Sequence, residues 1–166
     1  MMFRTERYPF RRNNMSIDYL MHFGICVSDL DRSVRFYRDV LGFREAGHLE
    51  LDGEPTATLL GLAELELRAV YLERDGFRIE LIHYPRPGTV GPADARPMNQ
   101  LGLTHFTLRV TDLDEALRRV EAHGGSVLEK TRIHSQELDA PIDAIYALDP
   151  DGTRLELAET SKDPTR

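Results

Sequence analysis

An α+β fold built from two tandem β-α-β-β-β modules is predicted by three features of this 166-residue chain. The stretch HFGICVSDLD at residues 22–31 returns as HFTLRVTDLD at 105–114. The stretch DGFRIEL at 75–81 returns as DGTRLEL at 151–157. Around each repeat the hydrophobic period changes in the same order, from alternation to helical spacing and back to alternation. A chain of this length suits one ordinary domain and is short for two independent ones, so the two modules must share a core. His22 and His105 lie 83 positions apart and Glu80 and Glu156 lie 76 apart, so the second module is shorter by seven residues, which one loop can absorb.

The elements follow in order. Residues 1–16 carry Arg4, Arg7, Arg11 and Arg12 against Glu6 and lack the continuous apolar segment of a secretory signal, so a disordered or loosely docked arm is expected. Met15 offers a second plausible start of the domain. The first module is expected over 17–84. Its opening strand places Phe23, Ile25 and Val27 on one face and His22, Gly24 and Cys26 on the other. Leu30, Val34, Tyr37 and Leu41 then fall at helical spacing, with a Ser28-Asp29 cap in front and Gly42 behind. Strands are expected at roughly 43–50, 66–73 and 77–84, the last entered through an Asp75-Gly76 turn.

Residues 85–101 hold Pro85, Pro87, Pro92 and Pro97 and are expected to be a linker. The second module, 102–160, opens with Phe106, Leu108 and Val110 opposing His105, Thr107 and Arg109. A Thr111-Asp112 cap, Leu113, Ala116, Leu117 and Val120, and the Gly124-Gly125 pair define its helix. Strands are expected at roughly 125–130, 141–148 and 153–159, and residues 161–166 form a tail.

Composition narrows the partners. With 41% hydrophobic and 30% charged residues the chain is that of a soluble globular protein. A net charge of -7 argues against nucleic acid, and no apolar run reaches the roughly 20 residues of a membrane span. The single cysteine, Cys26, cannot form an intramolecular disulfide, fits a reducing cytoplasm, and is expected to be a small buried hydrophobe.

Glu80 shares a strand face with Arg78, and Glu156 with Arg154, opposite the apolar residues of the same strands. If the first and last strands of each module are neighbours, His22, Glu80, His105 and Glu156 can surround one point. Two imidazoles and two carboxylates suit one divalent metal, with Ni, Co, Zn, Mn and Fe all acceptable. His48, His83 and His123 do not share this pattern and are expected to be structural.

The residues HFGICVSDLDRSVRFYRDVLGF, FRIEL, LTHFTLRVTDLDEAL and DPDGTRLEL resemble the vicinal oxygen chelate superfamily, over about residues 20–160. That superfamily includes glyoxalase I, methylmalonyl-CoA epimerase, extradiol dioxygenases and the fosfomycin and bleomycin resistance proteins. The resemblance implies paired modules forming an open, cupped mixed sheet around a metal, with the family's ligands falling on His22, Glu80, His105 and Glu156. The His-Glu-His-Glu set resembles glyoxalase I, whereas the epimerases usually carry Gln where Glu80 stands. Tyr146, ten residues before Glu156, is placed much as in extradiol dioxygenases, but a fourth ligand at Glu80 would fill a position that their chemistry needs open.

The expected activity is glyoxalase I-like lyase, isomerase or epimerase chemistry, with proton transfer next to a metal-chelated carbonyl and stabilisation of the resulting enediolate or enolate. Glu156 is the first choice of base and Glu80 the second. Arg78, Arg109 and Arg154 could attract an anionic small-molecule substrate or pair with neighbouring carboxylates, and Tyr146 could hydrogen-bond a substrate oxygen or pack. The alternatives are a ring-cleaving extradiol dioxygenase and a non-catalytic small-molecule or drug-binding protein. A homodimer is expected, and the linker permits a site within one chain or one shared between exchanged modules.

Overall fold

The computed structural model describes residues 16–94, 96–136 and 140–161, so the expected arm and tail lie outside it except for Ser16 and Ser161. Each half forms one mixed sheet. The first contains β1 (Phe23–Cys26), β2 (Arg44–Asp52), β3 (Glu66–Arg74) and β4 (Phe77–Arg86), in the order β1-β4-β3-β2. The second contains β5 (Phe106–Val110), β6 (Ser126–Val127), β7 (Ile133–Ser135), β8 (Ile142–Leu148) and β9 (Arg154–Thr160), in the order β5-β9-β8-β6 with β7 also on β8. The first and last strands of each half are parallel neighbours, β1 with β4 and β5 with β9, and the remaining pairs are antiparallel.

Helices α1 (Leu30–Asp39) and α3 (Leu113–Ala122) follow the opening strands. Their caps are the expected ones, with the Asp29 side chain accepting from the Arg32 N–H and Asp112 from that of Glu115. Both helices turn their apolar faces onto one core. Val27, Phe36, Tyr37, Leu72 and Leu81 pack in one cluster with Leu113, Val120, Ile145, Leu155 and Leu157, which welds the two halves together.

Several local features depart from the expectations, among them the extra strand β7, whose three residues are too few to show a period. The short helix α2 (Thr56–Leu60) was not foreseen, because five residues are too few to show a period. It buries Ala57 in a second small core with Leu65, Leu67 and Ala69. The strand expected at 125–130 shrinks to two residues and gives way to a 3-10 turn at Glu129–Thr131. There the Thr131 hydroxyl donates to the Leu128 carbonyl and accepts the Tyr146 N–H, taking over ladder positions that a strand would fill. Cys26 is exposed, not buried, because strand alternation sends Val27 into the core and Cys26 to the opposite face. Burial of part of its side chain, then the charge of Asp151, pushes its thiol upward.

A polar clasp joins the halves beside the core. The turn before β9 carries Asp151, which accepts from the Ser28 N–H at 3.1 Å, the Ser28 hydroxyl at 2.5 Å and Arg32 Nη2 at 2.8 Å, at the start of α1. The buried Tyr37 hydroxyl donates to Asp149 at 2.9 Å. Burial raises the Asp149 carboxyl above its ordinary range against the hydrogen bonds it receives, which pull the other way. For Asp151 burial also pushes upward, but the bonds from Ser28 and Arg32 prevail and hold it below its ordinary value.

Candidate metal centre

Strand pairing brings the expected ligands into two matched pairs. Glu80 sits in register with Gly24, and His22 lies two residues earlier on the same face, so His22 Nε2 comes to 3.2 Å from Glu80 Oε2. Glu156 sits in register with Thr107, and His105 Nε2 comes to 3.1 Å from Glu156 Oε2. A tyrosine lies across from each carboxylate, Tyr71 opposite Glu80 and Tyr146 opposite Glu156. Each tyrosine ring meets its histidine edge-on, with centroids 5.5 Å apart for His22 and Tyr71 and 5.3 Å for His105 and Tyr146. Tyr146 was expected near the site, but Tyr71 was missed. Its signal was present in the sequence, since both tyrosines precede their Glu by nine or ten positions.

The donor set fits a divalent first-row ion. Metal bonds of roughly 2.0–2.2 Å to His nitrogen and carboxylate oxygen leave two adjacent donors of one ion about 3 Å apart, as in both pairs. A neutral imidazole nitrogen and a carboxylate oxygen facing each other so closely need a proton or a cation between them. The pairs do not, however, meet within one chain. Among the described residues no group of three or more His, Cys, Asp and Glu side chains is placed to hold an ion. The reason lies in the packing: both sheets put their apolar faces on the shared core, which leaves the His-Glu faces turned away from it.

The surroundings of the two pairs differ. The Glu80 side chain is 12% exposed and that of Glu156 is 27% exposed. Tyr71 is raised by partial burial and then by its hydrogen bond with Glu80, whereas Tyr146 is raised by partial burial and then by the charge of Glu156. The Thr107 hydroxyl donates to Glu156 Oε2 at 2.9 Å, and the Thr104 hydroxyl lies 2.9 Å from His105 Nδ1.

The three arginines separate. Arg78 Nε donates to Glu73 at 2.9 Å on the surface, which is the carboxylate pairing weighed against a substrate role. Arg154 is only 9% exposed, reaches the Arg96 carbonyl through Nη2, and lies with its guanidinium carbon 5.8 Å from the Tyr146 ring centroid. Arg109 is exposed and lines an open groove at the end of β5 with His134 and Glu159. His83 and His123 contact backbone carbonyls and His48 pairs with Glu45, all away from the two pairs.

This architecture places the chain in a family. The Glyoxalase/Bleomycin resistance protein/Dioxygenase superfamily matches residues 19–157, and the chain belongs to it. The sequence is 30% identical over 146 residues to a probable lactoylglutathione lyase of Synechocystis, covering 86% of this chain and 96% of that protein. A glyoxalase family protein from Bacillus cereus shares the fold at a TM-score of 0.72 and 24% identity, over 88% of this chain and 98% of that one. A trypanothione-dependent glyoxalase I from Leishmania major does so at 0.58 and 19%, over 86% and 87%. No helix among the described residues is long and apolar enough to cross a membrane.

Proposed function

We propose that the chain is a divalent-metal-dependent enzyme of glyoxalase type, a lyase or isomerase that moves a proton between carbons next to a carbonyl. The observation that carries this reading is the recurrence of one His-Glu pair at one separation in both modules. The name of the Synechocystis relative supports the choice of lyase within the family. A bound ion would supply Lewis acidity, polarising the substrate carbonyl and making the neighbouring carbon-bound proton easier to remove.

The chain's own residues then divide the work. Glu156 takes the proton on Oε1, because Oε2 is occupied by His105 and Thr107, and returns it to the adjacent carbon. Glu80, more enclosed and beside Tyr71, serves chiefly as a metal ligand. The Tyr146 hydroxyl and the exposed Arg109 orient substrate oxygens and a negative group.

A homodimer completes the centre by setting the His22–Glu80 pair of one copy against the His105–Glu156 pair of another. Two features support that arrangement. β1 and β5 are edge strands, and the apolar residues leading into them, Met21 at 58%, Leu101 at 95% and Leu103 at 64%, are exposed. The setting we propose is cytoplasmic, with a small-molecule substrate.

The test is metal content by mass spectrometry of tag-free protein, with His105→Ala and Glu156→Ala beside it. About one divalent ion per chain, lost in both variants, together with solvent-deuterium incorporation into a hemithioacetal or oxo-acid substrate, is the expected result. No ion after reconstitution with Fe, Mn, Co, Ni or Zn overturns the reading in favour of a binding protein.

A further inference from the structure

The repeat invites comparison of the residues that flank each ligand pair. Position 104 in the second module corresponds to 21 in the first, and 107 corresponds to 24, both by the offset of 83 that relates His105 to His22. The second module has Thr104 and Thr107 at these places, and the first has Met21 and Gly24. Both threonine hydroxyls are engaged. Thr107 Oγ1 donates to Glu156 Oε2 at 2.9 Å, the same oxygen that faces His105 Nε2 at 3.1 Å. Thr104 Oγ1 lies 2.9 Å from His105 Nδ1. Met21 has no hydroxyl to offer His22, and Gly24 has no side chain to offer Glu80.

The chemistry of such contacts is specific. A His whose Nδ1–H is accepted by a neighbouring oxygen keeps its Nε2 lone pair aimed outward, in the tautomer that a metal requires. A carboxylate held through one oxygen by a hydroxyl has lost much of the rotational freedom that binding would otherwise remove. In the second module each ligand has a threonine hydroxyl beside it that can hold it in place, Thr104 at His105 Nδ1 and Thr107 at Glu156 Oε2. In the first, among the described residues, Glu80 has the Tyr71 hydroxyl as neighbour, and His22 meets the edge of that ring and Glu80.

We propose that Thr104 and Thr107 are positioning residues that preorganise His105 and Glu156, so that the second module's pair captures the metal first and the first module's pair closes onto it. The inference rests on the metal-dependent reading above and adds to it an order of assembly and two residues outside the ligand set.

The test is calorimetric titration of the metal-depleted full-length protein with zinc, alongside the absorption spectrum of the cobalt(II) form. Thr104→Val and Thr107→Val, close in shape but without the hydroxyl, should each weaken zinc by roughly 10-fold and shift the cobalt bands. Thr104→Ser and Thr107→Ser should restore both readouts. The double variant His22→Ala/Glu80→Ala should keep weak zinc binding, whereas His105→Ala/Glu156→Ala should keep none. Circular dichroism of each variant checks that it is folded.

Valine variants that bind zinc as tightly as the parent would overturn the inference and leave the metal-dependent reading standing. So would equal residual binding by the two double variants. A parent protein that takes no zinc would overturn the metal-dependent reading itself, and the inference with it.

Discussion

Asp75 and Asp151 open the same Asp-Gly-x-Arg turn in the two halves of the molecule, yet one stays within its own turn and the other reaches the opposite half. Asp75 lies in solvent beside Arg74, at a left-handed φ of 53°. Asp151 reaches across to Ser28 and Arg32 and fastens the second half to the first helix of the other. The same contrast runs through the ligand pairs, where Met21 and Gly24 face Thr104 and Thr107, and through the arginines, where Arg78 is paired on the surface and Arg154 is enclosed. The repeat therefore keeps the strand and helix pattern and the four candidate ligands, while neighbouring positions serve different ends.

The largest expected effects test the difference between the two carboxylates. Glu156→Gln should lower turnover by roughly 10²–10⁴-fold even at saturating zinc, the loss typical of a missing general base. Glu80→Gln should act chiefly on metal retention, by about 10–100-fold. Steady-state kinetics with zinc titration separates these outcomes, and an equal loss of turnover in both variants would erase the distinction.

Next come the turns. Asp151→Asn should destabilise the fold by about 1.5–3 kcal/mol, as expected when hydrogen bonds to a charged group are weakened. Asp75→Asn should stay within about 0.5 kcal/mol, the usual range for a surface change. Urea unfolding of the two variants measures both.

Acid sharpens the same comparison. The folded value of Asp151 is held below the 3.8 of an ordinary Asp, so its stabilisation is complete above that value and is lost as pH falls through the lower folded one. Asp149, raised by burial, has the opposite sign, and the folded state gains relative stability as pH falls through its raised value. Unfolding midpoints followed from neutral pH into acid should therefore lose the low-pH decline attributable to Asp151 in Asp151→Asn, with little change in Asp75→Asn. Arg78→Ala should likewise cost little, about 0–1 kcal/mol, because its partner Glu73 forms only a surface pair.

Much of this was legible in the sequence because a repeat states its own alignment. The two strand-helix openings and the Asp29 and Asp112 caps follow from period and turn chemistry, whereas the parallel pairing of first and last strands was only a condition of the sequence argument and is supplied by the fold. The pairing of His22 with Glu80 and of His105 with Glu156 follows from strand adjacency. What escaped depends on contacts between segments that no local pattern announces. Helix α2 is too short to carry a period, and Thr131 ends a strand through its side chain. Asp149 and Asp151 read as ordinary turn residues until α1 is packed beside them. The exposure of Cys26 and the separation of the two ligand pairs share one cause, namely that the common core claims the opposite face of each sheet.

The unequal turns also mark where the chain can be cut and extended. Gly152 packs so closely on the linker that an added Cβ would lie 2.7 Å from the Ala93 carbonyl oxygen, and the residue before it is anchored to Arg32 of α1. The tip at Asp75 and Gly76 is exposed, with Asp75 paired to its chain neighbour Arg74. A fluorescent reporter or affinity peptide spliced between residues 75 and 76 should thus leave the protein folded, whereas the same cargo between 151 and 152 would pry the halves apart.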